Sequence, residues 1–309
     1  MNRRPVLAEN RMRPPSSLVV AVGFGAIVLW SGTAIANKVA VDQMDAMTAG
    51  VLRSMLAALL ASGFALASRL PLPSRRGHLG LLLLSGVASF AIWPMLLSLG
   101  LGRTSASHAA LIMAVLPVFT GLVGAALEGR RLRRGWWAGS SIAVAGTALL
   151  VLYRSGGTLR DGTGSLGGDL IILAGVGICA LGYAAGARLS PVIGTWATTF
   201  WGLTAALTLL IPAFLLLAHR TDWSAVGPRG WGSIAYMTLL SSLVGYAAWF
   251  WALGRGGIAR ISSLQFLQPV FSLLLAAALL GEVLTLPLIL SATTILVGTG
   301  LAQRKADGA

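Results

Sequence analysis

Apolar runs of roughly 20 residues follow one another along this chain with only short polar breaks. A bilayer core of about 30 Å is crossed by roughly 20 mostly apolar helical residues. Ten segments meet that length: 17–37, 46–68, 78–101, 104–127, 135–153, 166–187, 194–218, 230–252, 258–280 and 285–302. Lipid offers the backbone no hydrogen bonds, so spans of this kind must be helices. The expected fold class is therefore an all-α polytopic membrane protein with ten transmembrane helices.

Composition supports this. Of 309 residues, 56% are hydrophobic and 10% charged, with a mean hydropathy of +0.82. A soluble domain carries about 25% charged residues. The net charge of +14 does not point to nucleic acid, because the basic residues sit in short loops where they orient spans. With the N-terminus in the cytoplasm, 16 of the 23 Lys and Arg residues fall on the cytoplasmic side and six opposite, with Arg53 inside a span. Both termini are then expected in the cytoplasm of a cell (inner) membrane protein. The N-terminal run is long for a signal peptide, although Ala34-Ile35-Ala36 resembles a cleavage site, and it is read as a retained span.

The chain also repeats itself. Residues 101–149, moved forward 152 positions, fall on 253–301 with about 15 identities and no gap. Leu101-Gly102-Arg103 meets Leu253-Gly254-Arg255, and Pro117-Val118-Phe119 meets Pro269-Val270-Phe271. Gly129 meets Gly281, and Gly146-Thr147 meets Gly298-Thr299. The Gly/Ser/Thr-rich stretch 154–165 divides the chain. The expected organisation is a tail (1–16), a five-helix repeat (17–153), a linker (154–165), a second five-helix repeat (166–302) and a tail (303–309). Five helices is an odd number, so the second repeat is inverted relative to the first. Such duplication in a membrane chain is a mark of transporters, and matching interruptions in the two halves point to the binding site. Pro117 and Pro269 are the matching helix kinks.

Polar residues inside spans are the candidates for function. In the first span Gly23, Ala26, Trp30, Thr33 and Asn37 share a face, and in the eighth Ser242, Tyr246 and Trp249 do. In the ninth, Ser262, Gln265, Gln268, Pro269 and Ser272 fall on one arc of a continuous helix. These faces should point inward, either to line a pathway or to join helices by hydrogen bonds. Tyr183 and Trp201 are weaker candidates, since aromatic residues in spans usually pack. Arg53 lies about seven residues into its span, roughly 10 Å deep. It can hold a substrate carboxylate, or it can reach Asp42, Asp45 or helix carbonyls. Gly182-xxx-Gly186 and Gly139, Ala143 and Gly146 allow close helix approach. Trp136, Trp137, Trp223 and Trp231 sit where interface anchors are expected.

Several chemistries are absent from the pattern. No Asp or Glu lies mid-span; Glu128, Asp169 and Glu282 are near helix ends, as are His78, His108 and His219. Clustered metal ligands, a phosphate loop and the buried carboxylates of proton-driven pumps are not seen. No cofactor or metal is expected, and facilitated diffusion or exchange is. Cys179 is a lone cysteine and forms no intramolecular disulfide.

On these residues the chain resembles the drug/metabolite transporter superfamily, and within it the EamA-like ten-span exporters. Ala278–Glu282 and Val28-Leu29-Trp30-Ser31 resemble its second-half and first-half signatures, and Arg53 an Arg of its second helix. Glu128-Gly129 reverses the family's Gly-Glu order. The resemblance implies export of amino acids or other small metabolites through a cavity between the halves. Ile27–Ser31 and Tyr246–Trp249 resemble the aromatic and neutral amino acid exporters. The expected function is secondary transport of neutral or aromatic amino acids by alternating access, without enzymatic activity. The expected partners are a small-molecule substrate and the bilayer, with no nucleic acid, and nothing demands more than one chain. Sugars, nucleotide-sugars or lipid-linked substrates are the alternative cargo, and a membrane enzyme or scaffold the alternative class.

Overall fold

The computed structural model describes residues 17–129, 131–153, 165–256 and 263–304. Among these residues the chain is helical throughout its regular structure, without a strand. The elements are α1 (Ser17–Ser31), α2 (Thr33–Val41), α3 (Ala46–Ala67), α4 (Arg76–Gly86), α5 (Trp93–Leu101), α6 (Ala106–Met113) and α7 (Leu116–Glu128). They continue with α8 (Arg134–Tyr153), α9 (Leu166–Ile193), α10 (Thr195–Leu217), α11 (Pro228–Ala235), α12 (Gly245–Gly256), α13 (Gln268–Leu280) and α14 (Leu286–Arg304). Six helices or helix pairs among the described residues are long and apolar enough to cross a membrane: Ser17–Val41, Ala46–Ala67, Arg76–Leu101, Ala106–Ala126, Leu166–Ile193 and Thr195–Arg220.

The breaks within spans have local causes. Gly32 separates α1 from α2. A π-helical stretch, Val87–Ile92, joins α4 to α5, and another, Tyr236–Val244, joins α11 to α12. Such wide turns leave backbone groups off the regular ladder and recur at functional sites. Pro117 stands in the first turn of α7, after a break that ends α6 at Met113. Pro269 stands likewise in the first turn of α13, after the 3-10 turn Ser263–Leu267. Proline has no N–H to donate and fixes φ, so a helix restarts at it more readily than it passes through it. Where kinks were expected, the chain therefore breaks. Gly129 and Gly281 end α7 and α13 with φ of 65° and 68°, the left-handed cap that glycine adopts at no steric cost.

Packing runs between the N-terminal and C-terminal parts of the chain. The most extensive contact is α8 with α14, followed by α3 with α10, α1 with α12 and α5 with α9. Lipid supplies no hydrophobic drive between helices, so close approach and hydrogen bonds must hold these pairs. At the α8–α14 seam, Gly139 lies against Ala302 and Gly298 against Ala143, too close for a side chain on either glycine. Added carbon at Gly146 would meet Ile295 at 2.9 Å. Along α9, Gly168, Gly175, Gly182 and Gly186 face Gly100, Trp93, Ser89 and Ser85. Ser62 of α3 donates to Thr204 of α10 at 3.0 Å. Trp136 is buried against Gly121, so it packs within the protein and is not an interface anchor; Trp137 is 52% exposed.

Candidate functional site

The two broken spans α1–α2 and α11–α12 meet around Trp30. Its indole N–H donates to the Ser241 carbonyl at 2.9 Å, in the second π-helical stretch. Its ring lies edge-on to Tyr246 and tilted on Trp249, each with centroids 5.3 Å apart. Phe90, from the first π-helical stretch, closes on Tyr246 at 6.1 Å. Gly245 makes this possible, since a side chain there would come within 2.7 Å of the Trp30 indole nitrogen. Thr33 and Ser241 share a hydroxyl hydrogen bond of 2.8 Å, and Tyr236 donates to the Leu29 carbonyl at 2.8 Å.

Tyr183 enters the same cluster from α9. Its hydroxyl lies beside Tyr246 and the Cys179 thiol, and Cys179 lies beside Ser89. Tyr183 is 39% exposed although these partners lie inside the bundle. Spacing within one helix could not reveal this, because its partners come from other helices. On the other side, Ser31 donates to the Gln268 carbonyl at 3.2 Å, and Ser272 donates to the Ser31 carbonyl at 2.9 Å. These bonds join α13 to the break after α1.

Three buried polar groups stand near this cluster with no hydrogen-bond partner among the described residues: Asn37 Nδ2, Arg53 Nε and Ser89 Oγ. Asn37 is fully buried and accepts from the Ser98 hydroxyl at 2.9 Å. Gly50, one turn before Arg53 on α3, lies against that same Ser98 hydroxyl. Arg53 is 8% exposed and lies near Tyr246. The acidic groups that could have braced it are engaged elsewhere: Asp42 pairs with Lys38 at 3.2 Å, and Asp45 caps α3 through Thr48. The Arg53 backbone carbonyl accepts from Thr238 at 3.3 Å, which ties α3 to the second π-helical stretch.

The stripes of the first and eighth spans thus converge, with Trp30, Thr33, Asn37, Tyr246 and Trp249 in one region. The ninth-span arc does so only in part. Ser272 is buried and Gln268 half-buried, but Gln265 is exposed in the 3-10 turn, and Ser262 lies outside the described residues. A 3-10 turn advances more per residue than an α-helix, so the projected arc is broken at Gln268. Two grooves of about 330 and 480 Å³ lie elsewhere, along α7 and α8 around Leu122 and Trp137, and share no residue with this cluster. Among the described residues no group of His, Cys, Asp and Glu is arranged to hold a metal.

The acids near helix ends are more structural than their positions suggested. Asp169 is fully buried; Thr104 donates to it at 2.5 Å and His108 Nδ1 lies 3.0 Å from it. Glu282 accepts from the Ala106 and Ser107 amides at 2.8 and 2.9 Å, capping α6 from the far part of the chain. No sequence signal links partners 61 or 176 residues apart.

A helical bundle with an aromatic cluster and free polar donors in its interior is the arrangement of a membrane transporter. The EamA-like transporter family matches residues 17–152 and again 166–303, and the chain belongs to that family. It is 35% identical over 266 residues to the uncharacterized transporter YdeK of Bacillus subtilis, covering 84% of this chain and 88% of that one. It is 28% identical to a probable terminal-alkyne amino-acid exporter of Streptantibioticus cattleyicolor, covering 83% and 84%. With a probable amino-acid metabolite efflux pump of Salmonella typhimurium it shares 27% identity over 88% and 90%. A crystal structure 22% identical in sequence aligns with a TM-score of 0.62 over 94% of this chain and 99% of its own, which shows a common fold.

Proposed function

We propose that this transporter exports small amino acids, neutral or aromatic, by alternating access between two inverted five-helix repeats. Arg53 is the observation that carries the substrate class. A guanidinium within a membrane costs about 2.5–3.5 kcal/mol even on the mildest scales. Here its Nε donor has no acceptor among the described residues, and an aromatic cluster stands beside it. A carboxylate would accept from it bidentately. The rings of Trp30, Tyr246 and Trp249 would take an apolar side chain or, by cation–π attraction, an ammonium group. Asn37 offers a second donor, and Thr33, Tyr183, Gln268 and Ser272 complete the proposed lining, with Gln265 left outside it in the exposed turn.

The inverted-repeat reading has independent support. The family matches twice. The Pro117 and Pro269 breaks, the Gly129 and Gly281 caps and the two π-helical stretches recur at corresponding places. Exchanging the two parts of the chain also turns the α1–α12 contact into the α9–α5 contact, and returns α3–α10 and α8–α14 to themselves. In this reading ten spans leave both termini in the cytoplasm of the cell membrane, and export is the working direction. A C-terminal phosphatase fusion, active only outside that membrane, is expected to be silent.

The substrate test is counterflow in proteoliposomes with matched free acids and amides of neutral and aromatic amino acids, beside sugars and nucleotide-sugars. Saturable transport of the acids, with weaker transport of the amides, is expected. Transport of a sugar or nucleotide-sugar with none of the acids would overturn the assignment.

A further inference from the structure

The two grooves away from the aromatic cluster share Leu122 and Trp137 and form one cleft on the outer wall of the bundle. Its walls, α7 and α8, follow one another in the chain but touch only sparsely. The Trp136 ring fills the space against Gly121, and beside it Leu122 and Ala126 face the cleft from α7, Trp137 and Val144 from α8. The face of α8 that carries Gly139, Ala143 and Gly146 is taken by α14, so the cleft face is left to another partner. That partner meets an apolar, open surface: Trp137 and Val144 are each 52% exposed. α7 belongs to the segment Ala106–Ala126, which is long and apolar enough to cross a membrane. From Arg134 to Val144 a helix rises about 15 Å, the depth of one leaflet of a hydrocarbon core about 30 Å thick.

We infer that this cleft binds one anionic phospholipid, with an acyl chain between α7 and α8 and the headgroup phosphate at the turn that joins them. Charge selects the headgroup. Arg131 lines the polar end of the cleft and is exposed, as are Arg133 and Arg134. Residues 128–134 hold four arginines and one acid, and no pH near neutrality discharges an arginine. Basic residues where a span leaves the bilayer attract anionic lipid. Ser140 marks the level between headgroup and chain. It lines the cleft six residues past Arg134, about 9 Å deeper. Its buried hydroxyl has no hydrogen-bond partner among the described residues, which leaves a donor for an ester carbonyl. A second copy of this chain is a poorer occupant, because docking by this face would bring the same arginines together. The inference concerns the outer wall of the bundle and does not depend on the substrate.

The test titrates the full chain in mild detergent with dioleoyl phosphatidylglycerol or dioleoyl phosphatidylcholine and weighs it intact by native mass spectrometry. One phosphatidylglycerol is expected to bind more tightly than phosphatidylcholine, by about fivefold for each arginine that its phosphate meets. Arg131→Gln is expected to reduce that preference about fivefold. Arg75→Gln, in the exposed stretch before α4, is expected to leave it unchanged. Ala126→Trp adds a ring at an exposed position on the cleft wall and is expected to weaken retention of both lipids. Equal retention of the two lipids by the parent protein, or an equal loss of preference in Arg75→Gln, overturns the inference. Equally tight binding of glycerophosphoglycerol, the headgroup without its chains, overturns it too. A doubled mass that Ala126→Trp returns to a single chain would give the cleft to a second copy and overturn it. Should the variants not fold, the parent protein is cross-linked to phosphatidylglycerol carrying a diazirine in its acyl chain. Attachment within residues 116–144 is expected, and attachment only outside them overturns the inference.

Discussion

Asp169 and Arg53 are both charged and both sealed within the bundle, at 0% and 8% exposure, yet the protein holds them in opposite ways. Asp169 is met by a hydroxyl and an imidazole ring, each from the other part of the chain. Arg53 has a buried Nε that meets no acceptor among the described residues, and Asp42 and Asp45 are spent on Lys38 and on the cap of α3. A buried charge that serves the fold is given partners, because leaving it bare costs several kcal/mol. A buried charge left open is paid for elsewhere, and a binding site is the ordinary reason.

The sharpest way to break this contrast is to remove each charge for an apolar residue and measure unfolding. Asp169→Leu strands the Thr104 and His108 donors, and a loss of about 3–5 kcal/mol is expected. Arg53→Leu removes a desolvated cation without orphaning any partner, so stability is expected to stay level or rise. Thermal unfolding in one detergent decides the matter. Equal losses would mean that Arg53 is a structural charge after all.

Next in size is the effect on transport. Arg53→Gln is expected to cost about 2–5 kcal/mol of affinity for free acids, the usual penalty for truncating a buried charge partner. Amides, which need no counter-ion, are expected to lose far less. Arg53→Lys keeps the charge but not the planar fork, so an intermediate loss is expected. The measurement is transport of matched acids and amides, normalised to folded protein. A parallel loss for both substrates would remove Arg53 from the site.

A smaller effect separates the two glutamines. Gln268 heads α13 beside Ser31, whereas Gln265 is exposed in the preceding turn. Gln268→Ala is expected to lower transport several-fold at normal membrane abundance, by about the 0.5–1.5 kcal/mol of one hydrogen bond. Gln265→Ala is expected to change it less. The reverse order would show that the turn before Pro269 refolds during the cycle.

Six of the ten expected spans appear among the described residues as helices long and apolar enough to cross a membrane, because each is written in its own residues. The stripe from Gly23 to Asn37 survives even the break at Gly32, since one turn of slack does not rotate it out of the interior. The ninth-span arc does not survive, because it assumed α-helix where the chain forms a 3-10 turn. Long-range partnerships were invisible. Tyr183 meets Tyr246 from another helix, and Asp169 meets His108, pairs that no periodicity connects. The glycines fall between these cases: Gly182 and Gly186 announced a close approach, but only the fold names Ser89 and Ser85 as what approaches.

Trp30 offers the finest division between frame and contact. Its indole N–H is spent on the Ser241 carbonyl, and its ring faces Tyr246 and Trp249. If the hydrogen bond is the whole of its role, Trp30→Phe should cost about 0.5–1.5 kcal/mol of stability and treat every substrate alike. If the ring also receives substrate, Trp30→Phe should leave transport within about threefold, since an aromatic face remains, while Trp30→Leu should lose about 0.5–2 kcal/mol more for substrates bearing an ammonium group. The Phe and Leu variants lack the same hydrogen bond, so comparing them cancels the frame and leaves the ring. Transport of an amino acid and of its uncharged N-acetyl derivative by both variants reads that difference directly. No gap between the two substrates would confine Trp30 to the frame, and the contrast between partnered and open groups would then rest on Arg53 and Asn37 alone.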